Sequence, residues 1–89
     1  MCSGEIKIIN KLGLHARAAT KFVQLSSKYT SQVVVNNGQR TINGKSIIGL
    51  MTLAARQGTT LFIETSGVDE KEMFNSLKNL VADKFGESA

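Results

Sequence analysis

The chain has 89 residues, enough for one compact domain and not two, with a modest core and little room for a deep substrate cavity. Lys and Arg total 11 against 7 Asp and Glu, giving +4 with the single histidine neutral, a balance that suits acidic partners but not a dedicated nucleic-acid binder. The lone Cys2 excludes an intrachain disulfide, and one His with one Cys excludes a structural zinc site.

Residues 5–9 alternate polar and apolar and are rich in isoleucine, which predicts a strand with Ile6 and Ile8 inward. Residues 10–14 form a connecting loop. Over residues 16–27 the period changes to that of a helix, with Ala16, Ala19, Val23 and Ser26 on one face and Phe22 and Leu25 widening it. Residues 32–36 read as a second strand. Asn37-Gly38, the dipeptide suited to a type I′ turn, leads into a returning strand over residues 39–43.

Ser46 is placed to cap a short helix over residues 47–55, whose core stripe reads as Leu50, Leu53 and Ala54. Gln57-Gly58 stops that helix, and residues 60–65 form the fourth strand. Asp69 followed by Glu72 has the form of a capping box. The last helix runs to about Phe85 on a stripe of Met73, Phe74, Leu77, Leu80, Val81 and Phe85, with Gly86 as terminator. The order β-α-β-β-α-β-α implies a single α+β domain over residues 1–89. It has a four-stranded, mainly antiparallel sheet with three helices on one face. No apolar run approaches the ~20 residues of a membrane span, and the N-terminus lacks the form of a signal peptide, so the expected location is the cytoplasm without membrane insertion.

The stretch Leu12-Gly13-Leu14-His15-Ala16-Arg17-Ala18 carries the chemistry. His15 is the only histidine and falls where a loop enters a helix. There the backbone N–H groups of Ala16, Arg17 and Ala18 have no intrahelical partner and carry the positive end of the helix dipole. A phosphoryl group on the imidazole would meet these donors and the guanidinium of Arg17. The same dipole disfavours imidazolium and should keep the ring neutral and nucleophilic. Gly13 lets the loop bend, and the small Ala16 and Ala18 should leave the ring accessible. On position alone, a surface histidine that merely caps a helix fits as well.

Gly13-Leu14-His15-Ala16-Arg17, together with Asn43-Gly44-Lys45-Ser46-Ile47-Ile48-Gly49-Leu50-Met51 some thirty residues on, resembles the HPr family. These are the histidine-containing phosphocarriers of the bacterial phosphoenolpyruvate-dependent phosphotransferase system. The resemblance runs from Glu5 to about Phe85. It implies an open-faced β-sandwich, phosphate carried on Nδ1 of His15, and support from Arg17. The implied donor is enzyme I, and the implied acceptors are IIA domains of sugar permeases or of a regulatory branch. The carrier would have no cofactor and no turnover of its own, and would work as a monomer. Asn10-Lys11-Leu12-Gly13 is also similar to the nitrogen-branch paralogue, so the two branches stay unseparated. Family members usually have proline after the arginine, where this chain has Ala18 and no proline at all; alanine should loosen the helix start by ~0.4–1 kcal/mol.

Ser46 has a plain role as helix cap, accepting from the N–H of Ile48 or Gly49. The resemblance adds that this serine is a regulatory phosphorylation site for HPr kinase/phosphorylase. Ile47, Ile48 and Met51 fall outside the core stripe and form an exposed apolar patch, which suits partner docking. A non-catalytic binding module acting through that helix remains the alternative of a different class. Gly44-Lys45-Ser46 lacks the first glycine of a P-loop, since position 39 is Gln39. Phe62 is the only aromatic residue on any predicted strand, so an RNA-binding sheet lacks its stacking pair.

Overall fold

The computed structural model describes residues 1–89. Its elements in chain order are β1 (Cys2–Lys7), α1 (Ala16–Ser26), β2 (Gln32–Asn36), β3 (Thr41–Asn43), α2 (Ile47–Thr52), β4 (Thr60–Ser66) and α3 (Glu70–Ala82). The strands form one sheet in the order β1-β4-β2-β3, and every neighbouring pair is antiparallel. Alternation along each strand turns Ile6, Val33, Val35, Leu61 and Ile63 to one face, where the three helices cover them. Phe22, Leu50, Met73, Leu77 and Val81 close the core from the helix side, each burial worth about 1.5–3 kcal/mol. The opposite face is open and leaves Val34 and Phe62 exposed. This is the open-faced α+β arrangement expected from the element order.

Several local expectations are corrected. The first strand ends at Lys7, although Ile8 stays fully buried and still pairs with the turn before β4, through Ile8 N–H to Thr59 and Gly58 N–H to Ile8. In α1 the buried residues are Ala18, Ala19, Phe22 and Ser26, while Ala16 is exposed, so the inward face is rotated from the one read in the sequence. The hairpin has no type I′ turn. Gly38 has positive φ but Asn37 does not, four residues separate the paired Asn36 and Thr41, and the Asn37 side chain accepts from the N–H groups of Gln39 and Arg40. A side chain that satisfies the loop's own amides favours the wider loop and shortens β3 to three residues.

Helix α2 stops at Thr52, and Ala54 turns left-handed at φ 50°. That rotation points Ala55, not Ala54, into the core. Helix α3 ends at Ala82, and the chain then passes through a tight turn, Lys84–Gly86, with positive φ at all three residues. Phe85 is nonetheless buried as expected, and its packing is what holds two non-glycine residues in this strained region.

Asp69 precedes α3 but makes no cap. Its carboxylate instead accepts from the N–H groups of Thr30 (3.0 Å) and Ser31 (2.9 Å) and from the Ser31 hydroxyl, tying the α1–β2 loop to the start of α3. The Ser31 hydroxyl and then these N–H groups lower its pKa from 3.8 to about 2. A folded value below the unfolded one means the clamp stabilises fully above pH 3.8 and is lost as pH falls through about 2. Asp69→Asn is therefore expected to flatten the acid limb of a melting-temperature profile over that interval. An unchanged limb would remove Asp69 from the acid response.

Candidate functional site

The loop before α1 is held from three sides. Asn10 is fully buried, and its Nδ2 donates to the Gly13 carbonyl at 2.8 Å and to Glu87 Oε1 at 3.0 Å. Gly13 sits at φ 69°, where a Cβ would overlap the Ala55 carbonyl oxygen and approach Arg56 Cα at 3.0 Å. Leu14 is buried and donates its N–H to that same Ala55 carbonyl at 2.8 Å. The loop therefore delivers His15 to the start of α1 with a fixed backbone.

His15 is the N-cap residue, extended at φ −80° and ψ −177°, and its ring makes no capping bond. The helix ladder begins with Ala19 N–H donating to the His15 carbonyl at 2.8 Å. The N–H groups of Ala16, Arg17 and Ala18 precede that bond and have no helical partner. No acidic side chain occupies the first turn, so the positive helix end is uncompensated there. The Ala18 side chain is fully buried and does not bear on access to the ring, contrary to the expectation; only its N–H does. Arg17 is exposed, and its guanidinium has no partner within the chain.

Glu87 comes from 72 residues away to meet the ring. Its Oε2 accepts from His15 Nε2, and Oε1 accepts from Asn10. Burial, the largest single influence on this carboxyl, pushes its pKa up. The bonds from His15 and Asn10, with the charges of His15 and Lys21, outweigh burial and hold the group below its usual range. An ionised carboxylate only accepts, so the proton of a neutral ring lies on Nε2, and the lone pair lies on Nδ1. Nδ1 makes no hydrogen bond within the chain.

Lys11, Leu12, His15, Ala16, Arg17 and Glu87, with Ser88 and Ala89, line one open cleft of about 630 Å³. Among the expected residues the structure thus gathers His15, Ala16 and Arg17. Ser46 does not line the cleft; its Oγ caps α2 by accepting from Gly49 N–H at 3.0 Å. Ile47, Ile48 and Met51 are 37%, 77% and 45% exposed, as expected for the patch. Helix α2 packs on α1, and Ala55, just after α2, accepts from Leu14 N–H in the His15 loop, where Leu12 is 68% exposed. No group of residues has the makings of a metal site, and no helix is long and apolar enough to cross a membrane.

The family model for the PTS HPr component phosphorylation site matches residues 2–83. The chain is similar to the phosphocarrier protein HPr of Neisseria meningitidis, at 51% identity over 87 residues and 98% of each chain. Its structure resembles HPr from Thermoanaerobacter tengcongensis, with a TM-score of 0.96 at 43% identity over all of both chains. An HPr dimer from the same organism matches at a TM-score of 0.78 and 44% identity, over 98% of this chain and 100% of that one.

Proposed function

The chain belongs to the HPr family of phosphotransferase-system phosphocarriers, and from that premise we propose that it accepts a phosphoryl group on Nδ1 of His15 from enzyme I and passes it to IIA domains. The observation that carries this reading is the ring itself. Its Nε2 is engaged by Glu87 and its Nδ1 is unengaged, beside three unpaired helix N–H groups and the free guanidinium of Arg17. The Nδ1 lone pair attacks, and the N–H groups of Ala16, Arg17 and Ala18 with the Arg17 guanidinium take up phosphoryl-oxygen charge without reorganising. The donor and acceptor are cytoplasmic proteins in this scheme, so the carrier works in the cytoplasm.

Ile47, Ile48 and Met51, on the helix that packs on α1, form the docking surface for these partners. Ser46 is the regulatory site for an HPr kinase/phosphorylase. A phosphate there stays compatible with the helix N-terminus and sets negative charge beside a patch that meets acidic partners. His15, Arg17 and Glu87 all belong to one chain, which supports a carrier that acts as a monomer.

The test is intact mass after mixing with enzyme I, magnesium and phosphoenolpyruvate. The parent is expected to gain one acid-labile phosphoryl group, and His15→Ala none. Ile48→Asp is expected to melt like the parent but to load about tenfold more slowly at limiting enzyme I. Loading of the His15→Ala protein would overturn the assignment of the acceptor, and parental loading of Ile48→Asp would remove the docking role.

A further inference from the structure

The segment after α3 is built around one contact. Three consecutive left-handed residues, Lys84 (φ 56°), Phe85 (φ 55°) and Gly86 (φ 79°), reverse the chain. Phe85 anchors the reversal in the core, and the Lys21 ammonium holds the Phe85 carbonyl at 2.6 Å from the neighbouring helix α1. The next residue is Glu87, on His15 Nε2 and Asn10 Nδ2, and Ala89 accepts from the Lys11 N–H at 3.0 Å. Asn10 keeps its Nδ2 toward Glu87 and Gly13 although its Oδ1 is left as the only buried side-chain polar atom without a partner. An unpartnered buried acceptor costs about 1–3 kcal/mol, so the contact with Glu87 is maintained against a local cost.

Resting on the carrier reading above, we propose that Glu87 is the counter-ion that keeps His15 Nε2 protonated through the whole transfer cycle, and that Lys21 is the positioning residue that holds Glu87 there. In loading, the Nδ1 lone pair forms the N–P bond as the donor's bond to phosphorus breaks and its electrons leave with the donor. The ring, with hydrogen still on Nε2, becomes a phosphoimidazolium cation facing the Glu87 carboxylate. In unloading, the acceptor's lone pair attacks phosphorus and the N–P pair returns to Nδ1, so the ring departs as neutral imidazole. No proton moves in either direction. Without the Nε2 proton the leaving group would be imidazolate, and transfer would stall. The other charged side chains lining the cleft are cationic: Arg17 from α1 and Lys11 from the loop. Glu87 is the only acidic side chain in the cleft, and the terminal carboxylate of Ala89 lies at the Lys11 N–H.

The experiment loads His15 with phosphoramidate, a small-molecule donor that needs no partner protein, and follows phosphoryl loss from the isolated protein against pH. The protonated ring releases its phosphoryl group fast and the unprotonated ring slowly, so the midpoint of the profile reports Nε2. Glu87→Gln keeps the shape and the acceptor atom but removes the charge. It is expected to move the midpoint down by about one pH unit, with release near pH 8 slowed about tenfold. Lys21→Met is expected to move it in the same direction by less, and Lys21→Arg to restore the parental profile. In the unloaded protein, ¹⁵N shifts of the ring are expected to report the Nε2–H tautomer in the parent and a mixture of tautomers in Glu87→Gln. A Glu87→Gln profile superimposable on that of the parent would overturn the counter-ion, and a parental Lys21→Met profile would overturn the positioning role. Failure of enzyme I to load the parent would instead count against the carrier reading, because the phosphoramidate profile does not depend on it.

Discussion

Replacing Gly13 by alanine is expected to lower the melting temperature by roughly 10 °C and to cut phosphoryl loading of His15 by one to two orders of magnitude. Two costs combine in this estimate. A non-glycine residue at φ 69° is strained by about 1–2 kcal/mol. The new Cβ also overlaps the Ala55 carbonyl, which is engaged by Leu14 N–H and cannot recede without breaking that bond. About 2 kcal/mol in a domain of this size corresponds to a drop of some 8–16 °C. The kinetic effect follows because residue 13 lies two positions before His15. Movement of the loop off Ala55 shifts the ring relative to the N–H groups of α1, and a displacement of about 1 Å costs on the order of a hundredfold. Thermal melting and the loading rate with enzyme I check both arms, and parental values in both would show that the loop is not held against Ala55 as described.

The second large effect is expected from Phe85→Ala. Phe85 is 1% exposed, and removing a buried phenyl ring costs about 3–5 kcal/mol. That is about a fifth or more of the whole stability of an ordinary small domain. The alanine keeps the strained φ of the parent, so the loss comes from the cavity and not from the backbone. The same change removes the anchor from the turn that carries Glu87, so protection of the Lys11 amide, bonded to Ala89, should fall as well. Phe85→Leu is the graded control: less stability lost, with the turn retained. Chemical denaturation and amide exchange at Lys11 test the pair of effects. A Phe85→Ala protein as stable as the parent would place residue 85 outside the core.

The strands and helices were legible because each buries one face, and the spacing of Val33 and Val35, of Leu61 and Ile63, and of Met73, Leu77 and Val81 records that burial directly. His15 and Arg17 were legible for a different reason: the chemistry of a helix N-terminus depends on a few adjacent residues. The errors lie where a side chain reaches far along the chain or competes with a local rule. Asp69 has the spacing of a capping box, but Ser31 and Thr30 take its carboxylate from 38 and 39 residues away. Asn37-Gly38 has the letters of a tight turn, yet the Asn37 side chain satisfies a wider one.

Ala54 and Ala55 exchanged places because α2 ends earlier than its apolar residues suggest. Glu87 was missed altogether. It belongs to no periodic pattern, and its partners His15 and Asn10 are 72 and 77 residues distant. The available signal was Phe85-Gly86, a core aromatic followed by a residue that permits reversal, which turns the next carboxylate back over the domain.

The carrier role requires both acceptance and delivery, so the most direct measurement is a chase. The protein is loaded on His15, freed of enzyme I and phosphoenolpyruvate, and mixed with a IIA domain of a phosphotransferase-system permease while the intact masses of both are followed. The predicted result is loss of one phosphoryl group from this chain matched by gain of one on the IIA domain, far faster than its loss to water and absent when Arg17 and His15 are both replaced by alanine. Release of the group only as inorganic phosphate, with every IIA domain tried left unmodified, would contradict the relay.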